Sequence, residues 1–132
     1  MPIEDVLADQ DWPPTPRRVV ALDVDAGSVA GHRLWFRSIE DWGGWMDVRI
    51  ARVDELGQRP LPRRLPPPDA WQAWLDGEEL TIADAVGRGD RRFSDGELRL
   101  RPGLPTEACT LTITAAMLPG EVLRVDLRVP QA

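Results

Sequence analysis

The chain has 132 residues, with 16 basic against 22 acidic side chains and a formal net charge of −6; that length suffices for one domain with its own core, and the acidic balance excludes a surface built for nucleic acid or an anionic membrane. Thirteen prolines exclude a helical bundle and suit a fold of many turns and strand edges. All the basic residues are arginine, with lysine, asparagine and tyrosine absent; we read this as coding bias, not as function.

Residues 1–16 carry Glu4, Asp5, Asp9 and Asp11, then Trp12-Pro13-Pro14-Thr15-Pro16. The spacing of residues 3–8 allows a turn of helix, which the prolines stop. The stretch is expected to be a flexible acidic and proline-rich tail, with Trp12 the one side chain able to pin it down. It lacks the apolar segment of a secretion signal, and no run in the chain approaches a membrane span, so the expected compartment is the cytoplasm. Residues 17–130 are expected to form one domain.

The first predicted strand covers 17–25, with Val20, Leu22 and Val24 on one face and Ala21, Asp23 and Asp25 on the other. Asp23-Val24-Asp25-Ala26-Gly27 is similar to the start of a calcium loop, but Leu34 stands where the closing glutamate belongs, so a strand end and turn is the better reading. Residues 32–53 then hold two β-rich runs around Gly43-Gly44, a hairpin signal. Two registers stay open. A two-residue loop sets Ile39 opposite Val48. A three-residue loop sets Phe36 opposite Ile50 but also Arg37 opposite Arg49, which like charges disfavour. A bulge reconciles them, and Trp42 and Trp45 flank the turn in either case.

A proline-rich connection follows at 54–69, read as a spacer. Residues 69–77 are predicted as one short helix, with Asp69 as N-cap, Gly77 past the C-terminus, and Trp71, Trp74 and Leu75 on one face. Residues 79–83 read as a strand with Leu80 and Ile82 inward, and 84–90 as a turn. Residues 91–93 and 97–101 are predicted to pair around Asp95-Gly96, and 102–105 to form a loop. Cys109, Leu111, Ile113 and Ala115 alternate with Thr110, Thr112 and Thr114, a half-buried strand in which the thiol is inert. After a turn at 117–120, Leu123, Val125, Leu127 and Val129 alternate with charged residues in the last strand.

About seven such strands with one wet face fit an all-β, immunoglobulin-like antiparallel β-sandwich with one short helix. Ser38-Ile39-Glu40-Asp41-Trp42-Gly43-Gly44-Trp45, the turn at 84–87, Leu104-Pro105 ahead of Leu111-Thr112-Ile113, and the closing Val125-Asp126-Leu127 resemble an uncharacterised family of actinobacterial proteins. The resemblance spans residues 17–129. It implies a small immunoglobulin-like sandwich with no assigned activity, and it brings no catalytic residue with it.

Catalytic chemistry has little to stand on. His32 is the only histidine and Cys109 the only cysteine, so neither a nucleophile–base pair nor a zinc ligand set is visible. No catalytic residue, metal or cofactor is assigned. The expected function is a non-catalytic protein-interaction module that docks an unidentified protein, or a second copy, on a sheet face, an edge or the proline-rich connection; arginine and tryptophan are typical interface anchors. The alternative is an aromatic platform for carbohydrate or another small ligand. That reading draws on Trp35, Trp42, Trp45, Trp71 and Trp74, with Trp42, Trp45, Trp71 and Trp74 the binding candidates, and it requires coplanar, solvent-facing indoles.

Overall fold

The computed structural model describes residues 15–29, 32–54, 68–89, 93–118 and 120–132. Residues 1–14 of the expected tail, 55–67 of the proline-rich connection and 90–92 lie outside them. Nine strands are present among the described residues: β1 (Arg18–Val29), β2 (His32–Asp41), β3 (Met46–Asp54), β4 (Trp71–Leu75), β5 (Glu78–Glu79), β6 (Thr81–Gly89), β7 (Phe93–Arg101), β8 (Cys109–Leu118) and β9 (Glu121–Val129). No helix among the described residues is long and apolar enough to cross a membrane.

The β2–β3 hairpin contains both candidate registers. Gly43 takes φ +94°, the left-handed value that the first central position of a type II′ turn requires and that a Cβ resists. The Trp42 amide donates to the Trp45 carbonyl at 2.9 Å, so the two indoles flank the turn. Near the turn Ile39 faces Val48; farther out Phe36 faces Ile50. Arg37 is the extra residue between the two registers, a bulge. The bulge removes the opposition of Arg37 and Arg49, and Arg49 faces Ser38 instead.

Two antiparallel sheets result. One has the order β1-β2-β3-β7-β6 and the other β5-β4-β8-β9. Their inner faces meet in one core that includes Leu34, Phe36 and Ile50 from the first sheet and Leu111, Ile113 and Leu127 from the second. Strand β9 alternates as the sequence predicts, with Leu123, Val125, Leu127 and Val129 buried and Arg124, Asp126 and Arg128 exposed. The expected all-β sandwich is thus present, with nine strands among the described residues where about seven were expected. Its connectivity departs from the immunoglobulin constant type, whose second and third strands lie in opposite sheets; here β2 and β3 are neighbours in one sheet.

Three local expectations are corrected. The short helix at 69–77 is a 3₁₀ turn at Pro68–Ala70 followed by β4. The residues of β4 satisfy their backbone groups by pairing with β8, Trp71 opposite Ala115 through Leu75 opposite Leu111. Asp76 and Gly77, with φ of +48° and +89°, then form the tight turn into β5. Positive φ at both central residues is what an Asp-Gly hairpin turn of type I′ uses. The second Asp-Gly pair, Asp95-Gly96, was expected to turn and instead lies inside β7, which pairs on both sides: Gly96 faces Ile50 of β3 and Gly87 of β6. Correspondingly, the turn expected at 84–90 is largely strand, since β6 runs through Gly89.

At the turn end of the sandwich a buried carboxylate joins three segments. Asp41, 2% exposed, accepts Nη2 of Arg17 at 2.7 Å on Oδ2, and the amides of Gly43 at 3.1 Å and Leu104 at 3.2 Å on Oδ1. The loop from β7 to β8 passes so close that a Cβ built on Gly103 would sit 2.4 Å from Asp41 Oδ1 and 2.5 Å from the Gly43 carbonyl oxygen. Both neighbours are fixed, one by its hydrogen bonds and one as backbone. Gly103→Ala is therefore expected to lower stability by about 2 kcal/mol or more, measured by urea unfolding. An unchanged midpoint would show that this loop moves aside at no cost.

Candidate functional site

The structure separates the tryptophans. Trp71 is 2% exposed and faces the core, because residues of equal parity in a strand share a face. That removes it from any stacking surface. Trp74, an odd number of residues later, lies on the other face of β4, half-buried and opposite Thr112 and Glu79. The helical spacing that would have placed Trp71 and Trp74 side by side does not exist here.

Trp42 and Trp45 do come together. Their rings stack at 6.0 Å between centroids with 16° between planes, on the outer face of the five-stranded sheet. The Arg99 guanidinium carbon sits 5.0 Å from the Trp45 centroid, a cation–π distance. With ring faces stacked on each other and both residues half-buried, this pair is not the coplanar open platform a saccharide requires. Both indole N–H groups are buried without an acceptor among the described residues.

Next to the tryptophans lies an ion-pair network. Arg99 reaches from β7 to Asp47 on β3 with Nε 2.8 Å from Oδ1 and Nη2 3.0 Å from Oδ2, a bidentate arrangement. Asp47 is on the outer face yet only 2% exposed. Arg49 donates to Glu40 at 2.5 Å and approaches Glu97 at 3.6 Å. The hydrogen bond that Arg99 donates to Asp47 raises the Arg99 pKa above its ordinary value, and the one that Arg49 donates to Glu40 does the same for Arg49, in each case against the opposing effect of burial. Both arginines stay cationic, so the network is suited to holding the sheet face together rather than to moving protons.

The open part of this face is at its other end. Trp35 on β2 is 37% exposed and lines a groove of about 580 Å³ with Asp23, Arg37, Ala51 and Val53. Trp35 and Ala51 face each other across β2 and β3, and the small Ala51 side chain gives the groove its floor. Two adjacent irregularities shape the walls. In β1 the register shifts between Ala21 and Val24, where β2 carries its Arg37 bulge. Asp23 in that stretch takes φ +62°, a conformation that non-glycine residues adopt uncommonly and that aspartate tolerates better than most. Its Oδ1 accepts the Trp35 indole N–H at 2.7 Å, which fixes the ring. On the same edge Asp25 accepts the Gly27 amide at 2.8 Å and pairs with Arg33. Its carboxyl is held below the usual range, first by the Gly27 amide and also by Arg33.

Among the described residues no group of three or more His, Cys, Asp or Glu is placed to hold a metal ion. Cys109 is buried as a free thiol, and burial pushes its pKa up, with Asp76 adding to the effect. Comparison with family models, with curated proteins and with solved structures finds no match for this chain, so geometry alone carries the functional reading.

Two predictions follow from these contacts. Arg99→Met strips the counter-charge from a carboxylate that is itself out of solvent, while Arg99 is partly exposed. The expected loss of about 2 kcal/mol lies between exposed and fully buried pairs. In a double-mutant cycle, adding Asp47→Asn should recover part of that loss; strict additivity of the two changes would mean the pair contributes nothing. Cys109 should resist a thiol reagent at neutral pH until the chain is unfolded in denaturant. Rapid modification of the native protein would contradict its burial.

Proposed function

We propose that this chain is a non-catalytic protein-interaction module that docks its partner on the outer face of the five-stranded sheet, with Trp35 and Arg37 as anchors. The observation that carries this reading is the distribution of exposed apolar side chains. Five large ones are exposed among the described residues. Val19, Trp35, Val53 and Val86 lie on this face, at register positions beside Glu40, Ala51, Arg33 and Glu97, and only Val122 lies on the other sheet. Exposed apolar groups scattered at random need no explanation, but their concentration on one face marks a contact surface. Indole and guanidinium side by side are the commonest anchors of such surfaces.

Three of the four edge strands are unsuited to strand addition: β1 shifts register twice, β6 shifts once, and β5 has only two residues, while β9 is a regular edge of nine residues on the other sheet. Bulges and short edge strands are the usual means of blocking a further strand. A second reading, a small-ligand module, is favoured by one feature: the groove volume of about 580 Å³ falls in the range of ligand pockets.

The test is quantitative capture of partner by the full chain. Trp35→Ala and Arg37→Ala should each weaken binding, Trp35→Ala by about 2 kcal/mol, or roughly 30-fold. Trp74→Ala, on the outer face of the opposite sheet, should leave it unchanged. Equal losses for all three variants, or no loss for Trp35→Ala, would sink the proposal. A saturable shift of Trp35 fluorescence with a small planar ligand would favour the second reading.

A further inference from the structure

We infer that the outer edge of β9 pairs with the same edge of a second copy of this chain, antiparallel about a two-fold axis at Val125. The sandwich has four sheet edges: β1 and β6 on one sheet, β5 and β9 on the other. An edge strand offers a row of unpaired N–H and C=O groups, and proteins defend such rows with bulges, brevity or proline. Strands β1 and β6 are irregular and β5 has two residues. Strand β9 has none of these defences. It runs nine residues without proline, its alternation of buried apolar and exposed side chains is unbroken from Leu123 to Val129, and it keeps one register against β8 from Val122 to Val129. Among the described residues it pairs with β8 alone. Strand β1 of the other sheet lies near it without joining its ladder, and Arg18 reaches the Pro130 carbonyl just past its end.

The side chains select the occupant. Directly opposite residues of an antiparallel pair share a face. A second β9 that keeps its apolar side chains inward therefore places the two-fold axis at a residue, not between two. With the axis at Val125 all nine residues pair. On the inner face Leu123 meets Leu127 of the second copy. On the outer face Arg124 meets Asp126 of the second copy, twice by symmetry. Val122, 63% exposed in the single chain, comes to lie opposite the aliphatic stem of Arg128. Within one chain Arg124 and Asp126 already approach at 3.7 Å, and the Thr112 hydroxyl donates to Asp126 at 2.7 Å, so the four charges alternate in sign around the axis. Neighbouring registers fail. An axis at Arg124 sets that arginine against itself, and an axis at Asp126 sets Asp126 against itself and Arg124 against Arg128; like charges directly opposite are destabilising. An axis at Leu123 or Leu127 pairs only five of the nine residues, and at Leu127 it brings Pro130, which has no N–H, opposite Arg124. The resulting contact is isologous. It joins two four-stranded sheets into one of eight strands, and it uses the other sheet from the docking face proposed above.

The experiment is sedimentation velocity of the full chain over a dilution series, with the urea midpoint of each variant as a check of folding. The expected result is a monomer–dimer equilibrium. Arg124→Asp places like charges opposite at two symmetric positions and should weaken the dimer by roughly 30-fold; Asp126→Arg should do the same. An equimolar mixture of the two variants restores opposite charges across the seam and should recover a dimer that neither forms alone. Trp35→Ala should leave the equilibrium unchanged. Amide hydrogen exchange reads the backbone without any substitution: on dilution every second amide of β9 should lose protection, while the amides of β8, paired on both sides, keep theirs. A chain that stays monomeric at the highest soluble concentration overturns the proposal. So does a dimer indifferent to Arg124→Asp, a mixture of well-folded variants that fails to associate, or β9 protection that ignores dilution. A dimer that Trp35→Ala breaks and Arg124→Asp spares puts the contact on the five-stranded sheet and refutes the edge.

Discussion

The carboxylate of Asp41 holds the turn end of this sandwich together. A charge taken out of water is costly unless every oxygen finds a donor, and here the three donors come from three separate parts of the chain: Arg17 ahead of β1, Gly43 in the β2–β3 turn, and Leu104 in the loop that carries the chain to the other sheet. Satisfying one side chain therefore fixes the relative positions of all three. The Arg17 amide adds a backbone bond to the Asp41 carbonyl at 2.7 Å. Gly103 completes the arrangement by being small, because any Cβ would drive the crossover loop off the carboxylate and leave an acceptor unmet.

The outer face of the five-stranded sheet is divided by what covers its tryptophans. At the turn end, Trp42 and Trp45 stack on each other, Arg99 lies over Trp45, and Asp47 beneath is shut off from water. At the other end the Trp35 N–H is tied by Asp23, and its ring is partly open to solvent. The same residue type is thus covered at one end and open to solvent at the other. Arginine divides in the same way: Arg49 and Arg99 are held by carboxylates, and Arg37 is displaced from the ladder by the bulge. An antiparallel sheet ordinarily shows water a polar face; here an exposed indole stands beside a guanidinium that has no ion pair among the described residues.

Several of these features were legible in the sequence, and the reasons are specific. Strand β9 alternates strictly, and period two has no competing reading. The β2–β3 hairpin gave two conflicting registers, and that conflict was itself the sign of the Arg37 bulge. The failures share one cause: local signals that fit two structures equally. Trp71, Trp74 and Leu75 satisfy a helical face, yet Trp71, Ala73 and Leu75 satisfy a strand, and pairing with β8 decides between them. Both Asp-Gly pairs carry the same turn propensity. Asp76-Gly77 turns because a two-residue link to β5 suits it, whereas Asp95-Gly96 is held straight by partners on either side. Within the groove, Trp35 belonged to the aromatic set read from sequence, but Asp23 gave no sign of its left-handed backbone. The meeting of the two irregularities depends on β1 and β2 lying side by side.

The strand order also governs how such a chain acquires its shape. Strand β3 waits for β7, and β4 waits for β8, so each sheet is sealed by a seam that encloses part of the other sheet's sequence. The β1-β2-β3 meander and the β8–β9 hairpin are local and can form early. The two seams close long loops, whose entropy is recovered only when both sheets pack. Neither sheet can be completed as a stable half. Folding is consequently a single cooperative event, set in speed by long-range closure, and damage to one sheet is felt as unfolding of both.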